Sequence, residues 1–236
     1  MGEGERRRQL MGAFWGAVLL SVILALVPGG RYALYPFSLL ATWAHELGHG
    51  FTALLVGGEF ERLVLLPDLG GTAYYRHPGG FWRTPLVAAG GLLGPSIAGG
   101  VVIVLGARPR TAPKVVAALA GLLLLSLALW VRNPFGMLAV GLLGGAFCAV
   151  AAWAPESVRL VTAQLCGIQL ALGSLGDFGY MFTKEFQRDG KVLASDTQQI
   201  AEHLWLPYWF WGALIAALTV AILVSAFRLA WMRERA

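Results

Sequence analysis

The sequence has few charged residues and almost no cysteine. Asp, Glu, Lys and Arg make up 13% of its 236 residues, whereas 57% are hydrophobic, and the mean hydropathy is +0.66. This composition excludes an ordinary soluble globular domain and indicates a multi-pass membrane protein. Cys148 and Cys166 lie in apolar runs without any metal-binding spacing, so we interpret both as packing residues.

The sequence also lacks a polar stretch that could form a second domain. The longest polar stretches, at about residues 57–84 and 183–206, are too short to bury a hydrophobic core. We therefore predict one multi-pass membrane domain over residues 1–236. The net charge of +5 comes without a basic stripe interleaved with aromatic residues, so we expect the lipid bilayer, and no nucleic acid, as a partner.

Seven apolar runs approach or reach the length of about 20 residues that a transmembrane helix needs. They lie at about residues 11–27, 33–56, 85–107, 115–131, 134–154, 158–182 and 207–231. The predicted fold class is therefore an all-α membrane protein with about seven transmembrane helices.

A small β-hairpin is predicted at about residues 57–80, directly after the second apolar run. This segment has β-branched, leucine and tyrosine residues on both sides of a Pro-Asp-Leu-Gly-Gly turn. One interpretation is that an edge strand of the hairpin pairs with an extended substrate segment at the membrane boundary. The other is an ordinary surface hairpin.

The second apolar run contains the segment AHELGHG, Ala44 to Gly50. On a helix, His45 and His49 project from one face about one turn apart, where both imidazoles can bind one metal ion. Glu46 stands beside them as a carboxylate that can take a proton from a metal-bound water. Three ionisable residues within a membrane span need a compensating partner, for which a metal ion is the obvious candidate. The alternative is a pair of hydrogen-bonded histidines packed between helices.

A zinc site with two histidines lacks a third protein ligand, and the sequence offers two candidates. Asp177 lies late in an apolar run, where an unpaired carboxylate is costly, and it is the first choice. Asp196 is the rival, although its polar segment also reads as an ordinary helix N-cap. Asn133, in the segment Arg-Asn-Pro-Phe-Gly, either orients a ligand or substrate carbonyl or caps the helix that begins at Pro134.

The third span contains AAGGLLGPSIAGG, whose glycines leave one helix face nearly free of side chains. We expect this face to pack closely against the HELGH helix. Aromatic residues near the predicted span boundaries are interpreted as interfacial belts; they include Tyr74, Tyr75, Trp82, Trp205, Tyr208, Trp209 and Trp211.

HELGHG on an early span, the glycine-rich hairpin segment and AGGLLGPSIAGG resemble the site-2 protease family of intramembrane zinc metalloproteases. The later segments RNPFG, GDFGY and SDTQQIAEHLWLP resemble a compact multi-pass branch of that family found in bacteria. The resemblance covers about residues 36–211, with the metalloprotease core at about 36–182.

The resemblance implies a zinc ion held by His45 and His49, with Glu46 as the general base. It also implies hydrolysis of peptide bonds in transmembrane protein substrates, in a bacterial cell membrane. One departure is that the family usually takes its third ligand from an Asn-Pro-Asp-Gly type motif, whereas this chain has Asn133-Pro134-Phe135-Gly136. The missing aspartate supports an alternative function, a catalytically inactive membrane scaffold or chaperone of the same fold. A metal transporter, which would use intramembrane His and Asp as transient ligands, is a third and less favoured function.

Overall fold

The computed structural model describes residues 3–188 and 190–232, and these residues are mostly helical. The helices are α1 Glu3–Leu26, α2 Gly30–Leu55, α3 Arg83–Gly106, α4 Ala112–Leu129, α5 Pro134–Trp153, α6 Glu156–Gly176, α7 Phe178–Met181, α8 Asp196–His203 and α9 Tyr208–Met232. The strands are β1 Glu59–Leu65, β2 Gly71–Arg76, β3 Glu185–Arg188 and β4 Lys191–Ala194.

Within the described residues, five helical segments are long and apolar enough to cross a membrane. These are α3, α4, α5, the combined segment Glu156–Met181 and Tyr208–Ala230 of α9. The described residues therefore contain five of the seven membrane spans expected from the sequence. In α1 the apolar portion is limited to Phe14–Leu26, and α2 carries the polar HELGH residues, which lower its hydropathy.

Two antiparallel hairpins lie between the long helices. Strands β1 and β2 pair in a register that runs from Glu59 opposite Arg76 to Leu65 opposite Gly71, and β3 pairs with β4. The other edge of β1 is also occupied, because the Leu63 amide donates to the Trp130 carbonyl at 2.8 Å and the Arg132 amide donates to the Leu63 carbonyl at 3.1 Å. Strand β1 is thus an interior strand, and β2 forms the outer edge of this small sheet.

The side chain of Asn133 binds the backbone of β1. Its amide nitrogen donates to the Leu65 carbonyl at 2.7 Å, and its side-chain oxygen accepts from the Leu65 amide at 3.2 Å. The side chain therefore imitates a neighbouring strand and makes no capping hydrogen bond to α5. Both sequence-based interpretations of Asn133 are replaced by this role in holding β1.

The glycine-rich face of α3 packs against the HELGH portion of α2, as expected from the sequence. A Cβ added at Gly94 would lie 2.6 Å from the Ala44 carbonyl oxygen, and one added at Gly48 would overlap the backbone of Gly90. A Cβ at Gly91 would overlap the imidazole of His49. The absence of these side chains lets the two helix backbones approach closely enough to bury much of the HELGH motif.

We expect Gly94→Ala to destabilise the protein by about 1–3 kcal/mol, because the added methyl group must push α2 and α3 apart. Gly145→Ala is the matched control, since Gly145 lies within α5 and a Cβ there has no neighbour within 4 Å among the described residues. That control gains helix propensity and should unfold at the wild-type temperature or slightly above it. Thermal unfolding in detergent measures both, and equal unfolding temperatures would contradict the close packing.

Candidate metal centre

Helix α2 presents His45 and His49 toward the same point. Their Nε2 atoms are 3.1 Å apart and their ring centroids 4.8 Å apart. Both side chains are largely buried, with 15% of His45 and 8% of His49 exposed. The spacing of four residues in HELGH therefore produces the pair of converging imidazole nitrogens that the sequence predicts.

Asp196 reaches this pair from α8, far along the chain. Its Oδ2 atom lies 3.3 Å from Nε2 of His45 and 3.5 Å from Nε2 of His49, and the side chain is 7% exposed. The Ser195 hydroxyl caps α8 by accepting from the Gln198 amide at 3.2 Å. On the apolar side of α8, Ile200 and Leu204 pack against Ala88 of α3. Packing and capping together hold Asp196 over the motif.

The three donor atoms have the separations that a tetrahedral metal site requires. They lie within 4.8 Å of one another when each residue offers one ligand atom, and the three closest separations are 3.1, 3.3 and 3.5 Å. Zinc–nitrogen and zinc–oxygen bonds of about 2.0–2.2 Å at tetrahedral angles place donor atoms about 3.3–3.6 Å apart. The geometry therefore fits a zinc-sized ion.

The hydrogen bonding of His49 is also consistent with a metal ion at this position. Nδ1 of His49 lies 2.9 Å from the Val87 carbonyl oxygen, which can only accept, so Nδ1 carries the proton and the neutral ring offers the Nε2 lone pair to the site. The Nε2 lone pair and the Asp196 carboxylate then point at one another in a buried position. Such an arrangement requires either a proton or a metal cation between these atoms.

Asp177 lies beside the donor set, not within it. Its Oδ2 atom is 3.9 Å from Nδ1 of His45, on the side of the ring opposite the converging atoms, and its side chain is 37% exposed. The sequence-based preference for Asp177 assumed an apolar environment, whereas Asp177 ends α6 at the edge of a cavity. The distances favour Asp196, whereas Asp177 lies within ion-pair distance of His45 but outside hydrogen-bond distance.

Asp196 is held in its charged form. Burial alone would raise the pKa of this carboxyl, but when the facing imidazoles carry protons, the charge of His49 and hydrogen bonds from both rings outweigh burial, so the pKa falls well below its ordinary range. A bound metal cation would take the place of those protons. A charged carboxylate is the form that coordinates metal.

Two tyrosines flank the centre and were not identified as site residues from the sequence. The Tyr180 hydroxyl accepts from the Asp196 amide at 3.2 Å and lies 3.4 Å from the Asp196 carboxylate. The Tyr75 ring stacks on His49 at 6.1 Å between centroids. Burial, with the nearby charges of Asp196 and Glu46, raises the pKa of Tyr75 to about 12. Tyr75 therefore belongs to the site and not only to an interfacial belt.

Glu46 is buried with 7% exposure and lines, with His45, a cavity of about 650 Å³. The turn of the first hairpin at Leu69–Gly71 borders the cavity on one side, and Phe186 and Gln187 of β3 border it on another. Gly71 fits tightly against Glu46, since a Cβ there would lie 2.6 Å from its Cγ and 2.7 Å from its Oε1. The cavity therefore opens onto the Glu46 carboxylate and onto His45.

The fold and the site define a helical integral membrane protein with an HExxH motif beside an open cavity. The chain belongs to the peptidase M50B-like family, whose sequence profile matches residues 15–226. This match confirms the resemblance to the site-2 protease family. Comparison with curated proteins and with solved structures gives no significant match.

We expect Tyr180→Phe to weaken zinc binding by about 10-fold or more, because loss of the hydroxyl frees the Asp196 carboxylate to move. Tyr74→Phe is the control, since Tyr74 lies on the same hairpin as Tyr75 but stacks on Arg62, away from the centre. Zinc titration of the metal-free protein measures affinity, and thermal unfolding of the same samples checks the fold. Wild-type affinity in Tyr180→Phe would show that the hydroxyl does not position Asp196.

Proposed function

We propose that this protein is an intramembrane zinc metalloprotease that hydrolyses peptide bonds of membrane-embedded protein substrates. The observation that carries the proposal is the convergence of His45, His49 and Asp196 beside the buried Glu46. Membership of a peptidase family gives the reaction class. A bacterial cell membrane is the proposed location, by resemblance alone.

In this proposal the zinc ligands are His45, His49 and Asp196. Asp196 takes the place that the sequence analysis gave to Asp177. Asp177 instead helps to position His45. Zinc, when bound, supplies a Lewis acid that lowers the pKa of water and polarises a carbonyl. The metalloprotease core would then extend beyond the expected limit of residue 182 to include α8.

Glu46 performs the proton transfers in this mechanism. It follows His45 on α2, so its carboxylate lies beside the donor set and faces the same cavity as His45. Glu46 takes a proton from the attacking water and later gives it to the leaving amine. Because Glu46 is 7% exposed, the water that it activates is largely screened from bulk solvent.

A substrate enters as an extended segment rather than as an intact helix. Backbone groups of a transmembrane helix are bonded internally, so the scissile carbonyl becomes available only after local unwinding. The cavity lies between the turn of the first hairpin and β3, and β2 is the outer strand of its sheet. We propose that the unwound segment lies along β2, by strand addition.

The inactive scaffold remains the second candidate because the Asn-Pro-Asp-Gly aspartate is absent from residues 133–136. The position of Asp196 weakens that argument, since it offers a third donor from another part of the chain. The transporter hypothesis is less well supported: the only His, Cys, Asp and Glu grouping of this kind among the described residues is the one at α2 and α8.

Metal content tests the ligand set. We expect His45→Ala, His49→Ala and Asp196→Ala each to lose stoichiometric zinc after dialysis, because each removes one protein donor. Asp177→Ala should retain zinc with about 10- to 100-fold weaker affinity, as expected for a group that orients a ligand. If Asp177→Ala loses zinc while Asp196→Ala keeps it, the assignment of the third ligand is reversed.

Activity tests the role of Glu46. We expect Glu46→Gln to keep one zinc per chain but to lose cleavage of co-expressed membrane substrates by about 100- to 10,000-fold, because glutamine cannot accept the proton. Asp68→Asn is the matched control, since Asp68 lines the same cavity and its side-chain oxygen accepts from the Gly70 amide. Equal activity of wild type and Glu46→Gln would exclude this mechanism, and absence of cleavage by both would favour the scaffold.

A further inference from the structure

An apolar groove lies on the outer surface of the helical bundle, between α3 and α9 and away from the metal centre. It has a volume of about 540 Å³ and is lined by side chains that include Ile97, Val101, Leu105, Leu218 and Leu229. Each of these five is between 42% and 51% exposed. Both helices are long and apolar enough to span a membrane, so these exposed side chains face lipid.

The dimensions of the groove match one leaflet of a bilayer. The step from Ile97 to Leu105 corresponds to about 12 Å of helix, and the step from Leu218 to Leu229 to about 16 Å, at 1.5 Å per residue. The hydrocarbon core of one leaflet is about 15 Å thick, half of about 30 Å. Two turns of a helix occupy roughly 850 Å³, more than the groove offers, so a single hydrocarbon chain fits it better than a helix.

The outer end of the groove is polar and positively charged. A smaller recess continues from it, shares Val104, Leu105 and Leu229 with it, and is also lined by Arg108 and Thr111. The segment 107–114 adds Arg110 and Lys114 and contains no acidic residue. A guanidinium stays charged at all physiological pH values and binds phosphate oxygens well.

We propose that this groove is a binding site for one anionic phospholipid. An acyl chain lies between α3 and α9, and the phosphate lies at Arg108, at the depth where a headgroup begins. The Thr111 hydroxyl donates to the Leu105 carbonyl, so the guanidinium is the phosphate-binding group. Charge complementarity selects an anionic lipid over a zwitterionic one, since each basic residue near the membrane surface contributes about a fivefold preference. The site is independent of the proposed proteolysis, because none of the groove residues lines the catalytic cavity.

Native mass spectrometry of the detergent-purified full chain tests this proposal. The protein is titrated with phosphatidylglycerol and, separately, with phosphatidylcholine of the same acyl chains. We expect one phosphatidylglycerol per chain to be retained with at least fivefold preference over phosphatidylcholine. Equal retention of the two lipids would overturn the proposal.

Three variants locate the site. Arg108→Gln should lower phosphatidylglycerol retention about fivefold and phosphatidylcholine retention by a smaller factor, because the choline cation already offsets the charge of its phosphate. Arg110→Gln, on the same turn but outside the recess lining, should change retention less than twofold; an equal loss in both variants would indicate only a general surface charge and would overturn the site. The double variant Ala221→Leu, Ser225→Leu fills the groove and should lower retention of both lipids.

The fold of the double variant is checked by its unfolding temperature. Ala221 and Ser225 are both exposed, so the larger side chains do not disturb the core. If the wild-type chain is dimeric without lipid and the double variant is monomeric, the groove is an interface between two copies, and the lipid proposal is wrong.

Discussion

The site depends on three converging side-chain atoms that need a proton or a metal cation between them. Nε2 of His45, Nε2 of His49 and Oδ2 of Asp196 come from two helices that are about 150 residues apart in sequence. In the absence of a cation their mutual repulsion and burial would destabilise the fold. With a cation, the same atoms would hold α8 to α2 and would thereby fix the polar segment between α6 and α9 against the membrane-spanning helices. Metal affinity and local folding are coupled in such an arrangement.

The close contact of α2 with α3 makes this burial possible. Gly48, Gly90, Gly91 and Gly94 remove the side chains that would otherwise separate the two helices. Because His49 lies against Gly91, its ring fits between the helices, and its Nδ1 reaches the Val87 carbonyl at the same time. The close packing of α2 on α3 therefore determines both the position of the His49 ring and its tautomer. In lipid, where apolar burial drives helix association weakly, small residues of this kind are the main route to such proximity.

Much of this arrangement can be predicted from the sequence, because it depends on short-range sequence patterns. The spacing of His45 and His49 fixes their geometry on any helix, and the glycines of α3 indicate a close approach whatever their partner. The hairpin is encoded by its Pro-Asp-Leu-Gly-Gly turn. The number of membrane-spanning helices is harder to predict, because the ionisable HELGH residues lower the hydropathy of α2 to near the limit for a membrane span. The role of Asn133 cannot be predicted from local sequence, because its partner, the backbone of Leu65, lies 68 residues away.

The third donor shows where sequence reasoning reaches its limit. Asp177 was preferred because it sits in an apolar run, and the argument from burial treats the cost of an unpaired charge as a property of the segment. The structure shows that burial is instead produced by tertiary contacts: Asp177 ends its helix at a cavity, whereas Asp196, in a polar segment, is covered by α2, α3 and Tyr180. The capping of α8 by Ser195 does not compete with a role for Asp196. It fixes the first turn of the helix, and the next residue along the chain is thereby aimed at the two histidines. A polar segment that carries a helix N-cap can therefore also supply a buried side chain to a site. This requires that the capped helix packs against the site, as α8 does.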